Sequence, residues 1–415
     1  MQCVYLAPVP VLSLFIYMGL RSTMIFPLDD PISSLDRSQW HLSYLGWYDI
    51  LFGVSACLSI VRGGIAISKT TLAIASTFFL IILISLIEGS KLGVESITDS
   101  LVYFLRFFLA FILSDWLARS LGVKIAEKFL IALFFVLAIS AIFVYSLQFG
   151  TFNRIYAAGM SVASFSQIAA VVCLIAIVRK YNTILLISLS FLLLTFSRTS
   201  IFCFLLLLCV YAIHAKNSRF RVKLKYCTLI AAFLVLTSLL LVMAGGVQFD
   251  FITSGRFNVE EIFSLNGRVS IWEYGLNLFE SGRIPISGVG YNGAPSLISD
   301  SSFIISDSTH DYAPAHFHSI FLEFGFGLGI FSVFIFYYLL VRIIKTFRAR
   351  CYPAFFIFSF FALSQSIDFT FYNPKEVIIW SLILGIAESQ WLYEQRAYSQ
   401  ELDTSKLNLS RALVT

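Results

Sequence analysis

The sequence predicts an all-α polytopic membrane protein with about twelve transmembrane helices and one large loop on the outer side. Three observations carry this. The chain has 415 residues, of which 58% are hydrophobic and only 13% charged, with a mean hydropathy of +0.85. Soluble chains run at roughly 45–50% apolar and about 25% charged. Apolar runs of helix-spanning length recur along the sequence. Lys and Arg gather in alternate short loops. A cytosolic enzyme, a disordered chain and a disulfide-stapled secreted domain are excluded by this composition.

A transmembrane helix needs about 20 mostly apolar residues. Runs of that kind cover about 3–20, 42–61, 70–88, 101–118, 129–149, 160–178, 182–196, 199–214, 226–248, 319–341, 353–372 and 377–393. The first run has no Lys or Arg before Arg21 and no clear cleavage site, so it reads as a retained helix. The seventh and eighth are short and nearly touch at Ser197 and Arg198. A tight hairpin there is the simpler arrangement, and one long broken helix is the alternative. The predicted organisation is helices 1–9 over residues 1–249, an outer loop over 250–318, helices 10–12 over 319–393 and a polar tail over 394–415.

Charge assigns the sides. The short loops after runs 2, 4, 6, 8 and 10 hold sixteen Lys and Arg residues, among them Lys124, Lys128, Arg179, Lys180, Arg342, Lys345, Arg348 and Arg350. By the positive-inside rule these loops and both termini are cytoplasmic. The net charge of +5 says less than its distribution. Nothing points to nucleic acid. The seven cysteines lie in or beside apolar stretches without a CxxC pair, and read as small buried apolar residues.

The loop from about Asp250 to Phe317 carries eight acids and the arginines Arg256, Arg268 and Arg283, with no lysine or cysteine. Loops of this length are usually functional. Gly267 to Phe279 places Val269, Ile271, Trp272, Leu276 and Phe279 in the pattern of a short amphipathic helix on the membrane or the bundle. Gly288 to Ser296 reads as turns.

Ionisable groups at membrane depth or its outer face need a reason. His310, His316 and His318 fall within nine residues. His318, at the mouth of run 10, could take a proton from a sugar hydroxyl near neutral pH. An interfacial anchor is the plainer reading, and a zinc site from His310, Asp311, His316 and His318 is a third. Arg198, in Thr-Phe-Ser-Arg-Thr-Ser, and Arg268, in Asn-Gly-Arg-Val-Ser-Ile-Trp, fall on the same outer side. Guanidinium groups bind phosphate oxygens bidentately. Against this stand a lipid-phosphate contact for Arg198 and a loop salt bridge for Arg268. Arg106 and Asp115 lie about half a turn out of phase and read, with Asp368, as structural pairing groups.

Three landmarks occur in order. They are Ser197-Arg198-Thr199; then Gly267-Arg268 with Trp272 and Gly288-Val289-Gly290-Tyr291; then His316-Phe317-His318-Ser319 with Leu322-Glu323, Gly325 and Gly329. Together with the helix count, they resemble the bacterial O-antigen ligase and polysaccharide polymerase superfamily. The specific part covers roughly Phe196 to Gly329. The resemblance implies a metal-independent inverting glycosyltransferase of the C-type membrane fold, with no cofactor, in the bacterial inner membrane. Its donor would be an oligosaccharide on undecaprenyl diphosphate at the periplasmic face. Its acceptor would be a second glycan or lipid A–core, and a chain-length regulator is a possible partner. Arg198 and Arg268 would bind the diphosphate and His318 would be the base. His316 and Ser319 would assist, Ser319 standing where many members carry Asn. A polymerase is slightly preferred over a ligase. The reading from another class is a transporter or lipid-glycan flippase. Such proteins usually show internal repeats and a midplane charged site, and no repeat is visible here.

Overall fold

The computed structural model describes residues 122–147, 161–214, 268–290 except 283, 317–370 and 376–394. It also describes residue 155, 305–306, 311–312 and parts of 76–87 and 105–114. Expected runs 3–20, 42–61 and 226–248 lie outside the described residues, as do His310, His316 and Asp115. Runs 70–88 and 101–118 are described only in part, as helix.

The described residues are almost entirely helical. The elements are α1 (Val123–Leu147), α2 (Val162–Arg179), α3 (Asn182–Leu194), α4 (Arg198–His214), α5 (Arg268–Glu280), α6 (Ile320–Leu328), a 3-10 turn (Gly329–Phe331), α7 (Ser332–Arg348) and α8 (Tyr352–Ile367). Residues 376–394 form a further helix, α9. Ile305–Ser306 and Asp311–Tyr312 pair as a two-residue antiparallel ladder, Ile305 opposite Tyr312. Ala126–Phe143, Val162–Arg179 and Ile320–Arg348 are long and apolar enough to cross a membrane. Helices α3, α4 and α8 are apolar but shorter.

Helix α2 is the centre of the bundle. Every side chain from Ser164 to Ile177 is buried, as a helix apolar on all sides requires. It packs against α1, α3, α4 and α8. Ser161 caps it by accepting a hydrogen bond from the Ser164 amide at 3.1 Å. Lys180, at φ +61°, ends it in a left-handed turn, and α3 returns alongside. Phe134, Phe165 and Phe191 join α1, α2 and α3 through stacked and edge-on rings. Large apolar side chains also face outward, among them Ile139, Leu186, Phe202, Val333 and Phe334. An outward apolar surface on apolar helices marks an integral membrane protein.

The chain reverses between α3 and α4, so the hairpin is the arrangement found. Ser200 near the start of α4 meets Ser166 near the start of α2 at 2.7 Å. Tyr211 near the end of α4 packs edge-on against Tyr352 at the start of α8. The turn is local chemistry. Thr195 Oγ1 donates to the Leu192 carbonyl at 2.6 Å, and Phe196 takes φ +49°.

Three details differ from the sequence reading. Run 10 is not one regular helix: it breaks at Gly329, where φ is +55° and ψ is −139°. Arg342 is not a charge in a cytoplasmic loop. Helix α7 extends to Arg348, and Arg342 is buried in an ion pair with Glu388 of α9. Cys209 is exposed, although Cys173, Cys203 and Cys351 are buried. Cys203, Phe204, Leu207 and Leu208 form the packed face of α4, and Cys209 falls outside that face.

Among the described residues, the basic positions at the start of α1 and the ends of α2 and α7 share one end of the bundle. Arg179 Nε donates to Glu127 Oε2 at 2.8 Å, joining the end of α2 to the start of α1. Cys351 lies near Arg179 and Glu394, and burial followed by the Glu394 charge pushes its thiol up, so it is unreactive. His318, Arg198 and residues 368–370 lie at the opposite end.

Candidate functional site

His318 sits in a left-handed backbone conformation, φ +54°. That is uncommon for a residue with a side chain and persists only where neighbours hold it. Three contacts do so. The Trp272 indole N–H donates to the Phe317 carbonyl at 2.9 Å. The Phe317 amide donates to Glu323 Oε1 at 2.7 Å. The Phe369 amide donates to the His318 carbonyl at 3.2 Å. Glu323 is 5% exposed, so its carboxylate serves this turn and not solvent. Ser319 follows as the buried N-cap of α6 and makes no side-chain cap bond.

Helix α5 brings Trp272 to this place. Ile271 and Leu278 face inward with Phe317, Phe326 and Ile284 in a small apolar cluster of their own. Phe317 stacks on Phe326 with centroids 4.3 Å apart, and Gly275 leaves room for the Phe317 ring. So α5 lies on the bundle, while Leu276 and Phe279 remain exposed. The segment after α5 docks too. Val289 and Gly290 donate to the carbonyls of Phe326 and Gly327 at 2.9 and 2.8 Å, and Ile330 donates to Ile286 at 2.8 Å. Residues 286–290, which include the described start of the stretch expected as turns, thus form a clasp across the helix break that fixes this segment to α6; 291–296 lie outside the described residues.

Asp368 follows the end of α8. Its Oδ1 lies 4.0 Å from His318 Nδ1, with the two side chains 16% and 32% exposed. The sequence marked Asp368 as a further candidate with structural pairing as the preferred role; in the fold it approaches the candidate base. Behind it stand three buried polar side chains that sequence reasoning missed: Gln167, Gln365 and Thr370. Polar residues inside apolar runs were the available signal.

Arg198 is half-buried and is the first residue of α4. Ser197 and Ser200 beside it are bonded to each other at 3.2 Å. Arg268 is the first residue of α5, one turn before Trp272. Both arginines therefore open helices. A helix N-terminus carries a partial positive charge, so each position suits an anion. A chain of contacts runs from the start of α4 through α2 and the 368–370 turn to the His318 turn and α5. Ser200 touches Ser166; Gln167 donates to the Asp368 carbonyl at 3.3 Å; Phe369 bonds His318; and Trp272 bonds Phe317. Arg106 is buried, 3% exposed. Among the described residues no three His, Cys, Asp or Glu side chains gather as a metal site.

Glu376, where α9 begins among the described residues, is 2% exposed. Ser161 Oγ donates to its Oε1 at 3.4 Å.

A helical membrane bundle with a clamped histidine and buried polar side chains at one end is the class of protein these elements define. Residues 183–337 match the family model described as O-antigen ligase. Over this segment, well under half of the chain, the protein is similar to that family. No curated protein matches the chain.

Proposed function

We propose that this protein transfers a glycan from undecaprenyl diphosphate to an acceptor hydroxyl at the periplasmic face of the bacterial inner membrane, polymerising polysaccharide repeat units. The observation that carries this reading is the His318 turn. An imidazole next to Asp368 is held in a strained conformation, at the end of the bundle opposite the basic loops. His318 takes the proton of the acceptor hydroxyl as its oxygen attacks the anomeric carbon. The bond to the diphosphate breaks with inversion, and the proton remains on the imidazole until it passes to water. Arg198 and Arg268 hold the diphosphate and stabilise the charge it gains on leaving. The chemistry needs no metal or cofactor, since the cations are guanidinium groups. The apolar outward faces meet membrane lipid.

The family description favours a second reading, a ligase that moves the finished polysaccharide onto lipid A–core. Glycan ladders of a deletion strain separate the two. Single repeat units on the normal acceptor identify a polymerase. Long chains stranded on the undecaprenyl carrier identify a ligase. Complementation with His318→Ala or Arg198→Ala should leave the deletion pattern in place, since losing a general base costs about 10²–10⁴ in rate. Wild-type ladders from both variants would sink the proposed site, and leave a transporter as the better account.

A further inference from the structure

We propose that Gln167, Gln365 and Thr370 are positioning residues for the His318 base, acting through the 368–370 turn that presents Asp368 to the imidazole. This deepens the glycosyl-transfer reading and rests on it. The two glutamines are fully buried and Thr370 is 3% exposed. Buried amides of this kind are costly unless bonded, and these are bonded to one another. Gln365 Nε2 donates to Gln167 Oε1 at 2.9 Å and to Thr370 Oγ1 at 3.0 Å. Thr370 Oγ1 donates to Gln167 Oε1 at 3.1 Å. The Thr370 amide donates to Gln365 Oε1 at 2.8 Å. Gln167 Nε2 then reaches the Asp368 carbonyl at 3.3 Å.

The network joins the central helix α2 to the end of α8 and to the turn beyond it. Three apolar side chains could fill the same space at little cost in stability. What a polar trio adds is orientation, and it is placed where the turn meets His318. The Phe369 amide of that turn holds the His318 carbonyl. Asp368 Oδ1 stands 4.0 Å from His318 Nδ1, and a charge-assisted hydrogen bond needs about 2.7–2.9 Å. A shift of little more than 1 Å in the turn therefore decides whether the imidazole is gripped. Misplacement on that scale can cost about 10²-fold in rate.

The test uses the full chain in lipid nanodiscs. The donor is undecaprenyl-diphosphate glycan extracted from the deletion strain, which also serves as acceptor. Thr370→Val and Gln167→Leu should lower kcat by about 10–100-fold, with KM for the donor changing less than about threefold. Thr370→Ser keeps the hydroxyl and should restore kcat to within about threefold of wild type. The melting temperature of each variant is measured beside its rate, and the isosteric Thr370 pair decides the matter if Gln167→Leu does not fold. The proposal is overturned if Thr370→Val turns over like wild type, if Thr370→Ser loses as much as Thr370→Val, or if rate falls only in step with folded protein. His318→Ala is run in parallel. Full activity there would overturn the reading of His318 as base, a failure distinct from that of the network.

Discussion

Gly329→Ala is expected to remove folded protein from the membrane. A Cβ at Gly329 would lie 1.9 Å from the Ile286 carbonyl oxygen and 2.5 Å from the Gly288 amide nitrogen. These are backbone atoms of the clasp, and three hydrogen bonds tie that segment to α6 and the 3-10 turn. Neither side can move away without breaking them. The backbone at Gly329, φ +55° with ψ −139°, is also a conformation that residues with a Cβ avoid. Gly288 faces it at φ +81°, and its own added Cβ would lie 2.5 Å from the Gly327 carbonyl oxygen. The clash and the strain together put the cost above about 4 kcal/mol, the range of the most damaging substitutions. Gly282→Ala is the control. Gly282 also has a positive φ, +67°, but nothing lies within 4 Å of its added Cβ. That variant should lose only about 1–2 kcal/mol for the backbone conformation. Membrane abundance and melting in detergent report both. Equal behaviour of the two variants would show that the clasp does not hold the loop.

This break was hidden in the sequence. Phe324 to Phe331 reads as an uninterrupted apolar run, because a glycine in an apolar window lowers hydropathy little. The clasp is backbone pairing with a segment about forty residues earlier, which leaves no side-chain pattern to read. By contrast, the spans at 162–179, 182–194 and 352–367 were legible to within a few residues, except that α8 ends about five residues early. Their ends coincide with charges, polar caps or tight turns. The hairpin at Ser197 was legible because hydropathy falls at Ser197 and Arg198. The candidate histidine and arginines stood out as ionisable groups beside apolar runs. Gln167, Gln365 and Thr370 did not, since a single glutamine in an apolar helix has no partner visible in sequence. Gln167 and Gln365 are 198 positions apart, and only the packing of α8 on α2 brings them together.

Arg342 poses the same problem in a form with a large energetic consequence. In sequence it looks like one more cation of a cytoplasmic loop. In the fold its guanidinium pairs with Glu388 of α9, whose other oxygen accepts from the Tyr338 hydroxyl at 2.8 Å. The Arg342 and Glu388 side chains are 9% and 2% exposed, and Arg342 also stands 5.0 Å over the Tyr338 ring. Removing one partner leaves the other charge buried without compensation, which costs about 3–5 kcal/mol. Glu388→Ala should therefore lower the melting temperature in detergent by several degrees or abolish accumulation. Arg342→Met combined with Glu388→Leu should recover most of that loss, because two apolar residues replace the pair without orphaning a charge. If the double variant were as unstable as Glu388→Ala alone, the loss would come from packing volume and not from charge. The pair lies toward the basic end of the bundle, away from His318. Protein that does fold with the double substitution should keep its turnover, which separates the role of this charge from those of Arg198 and Arg268.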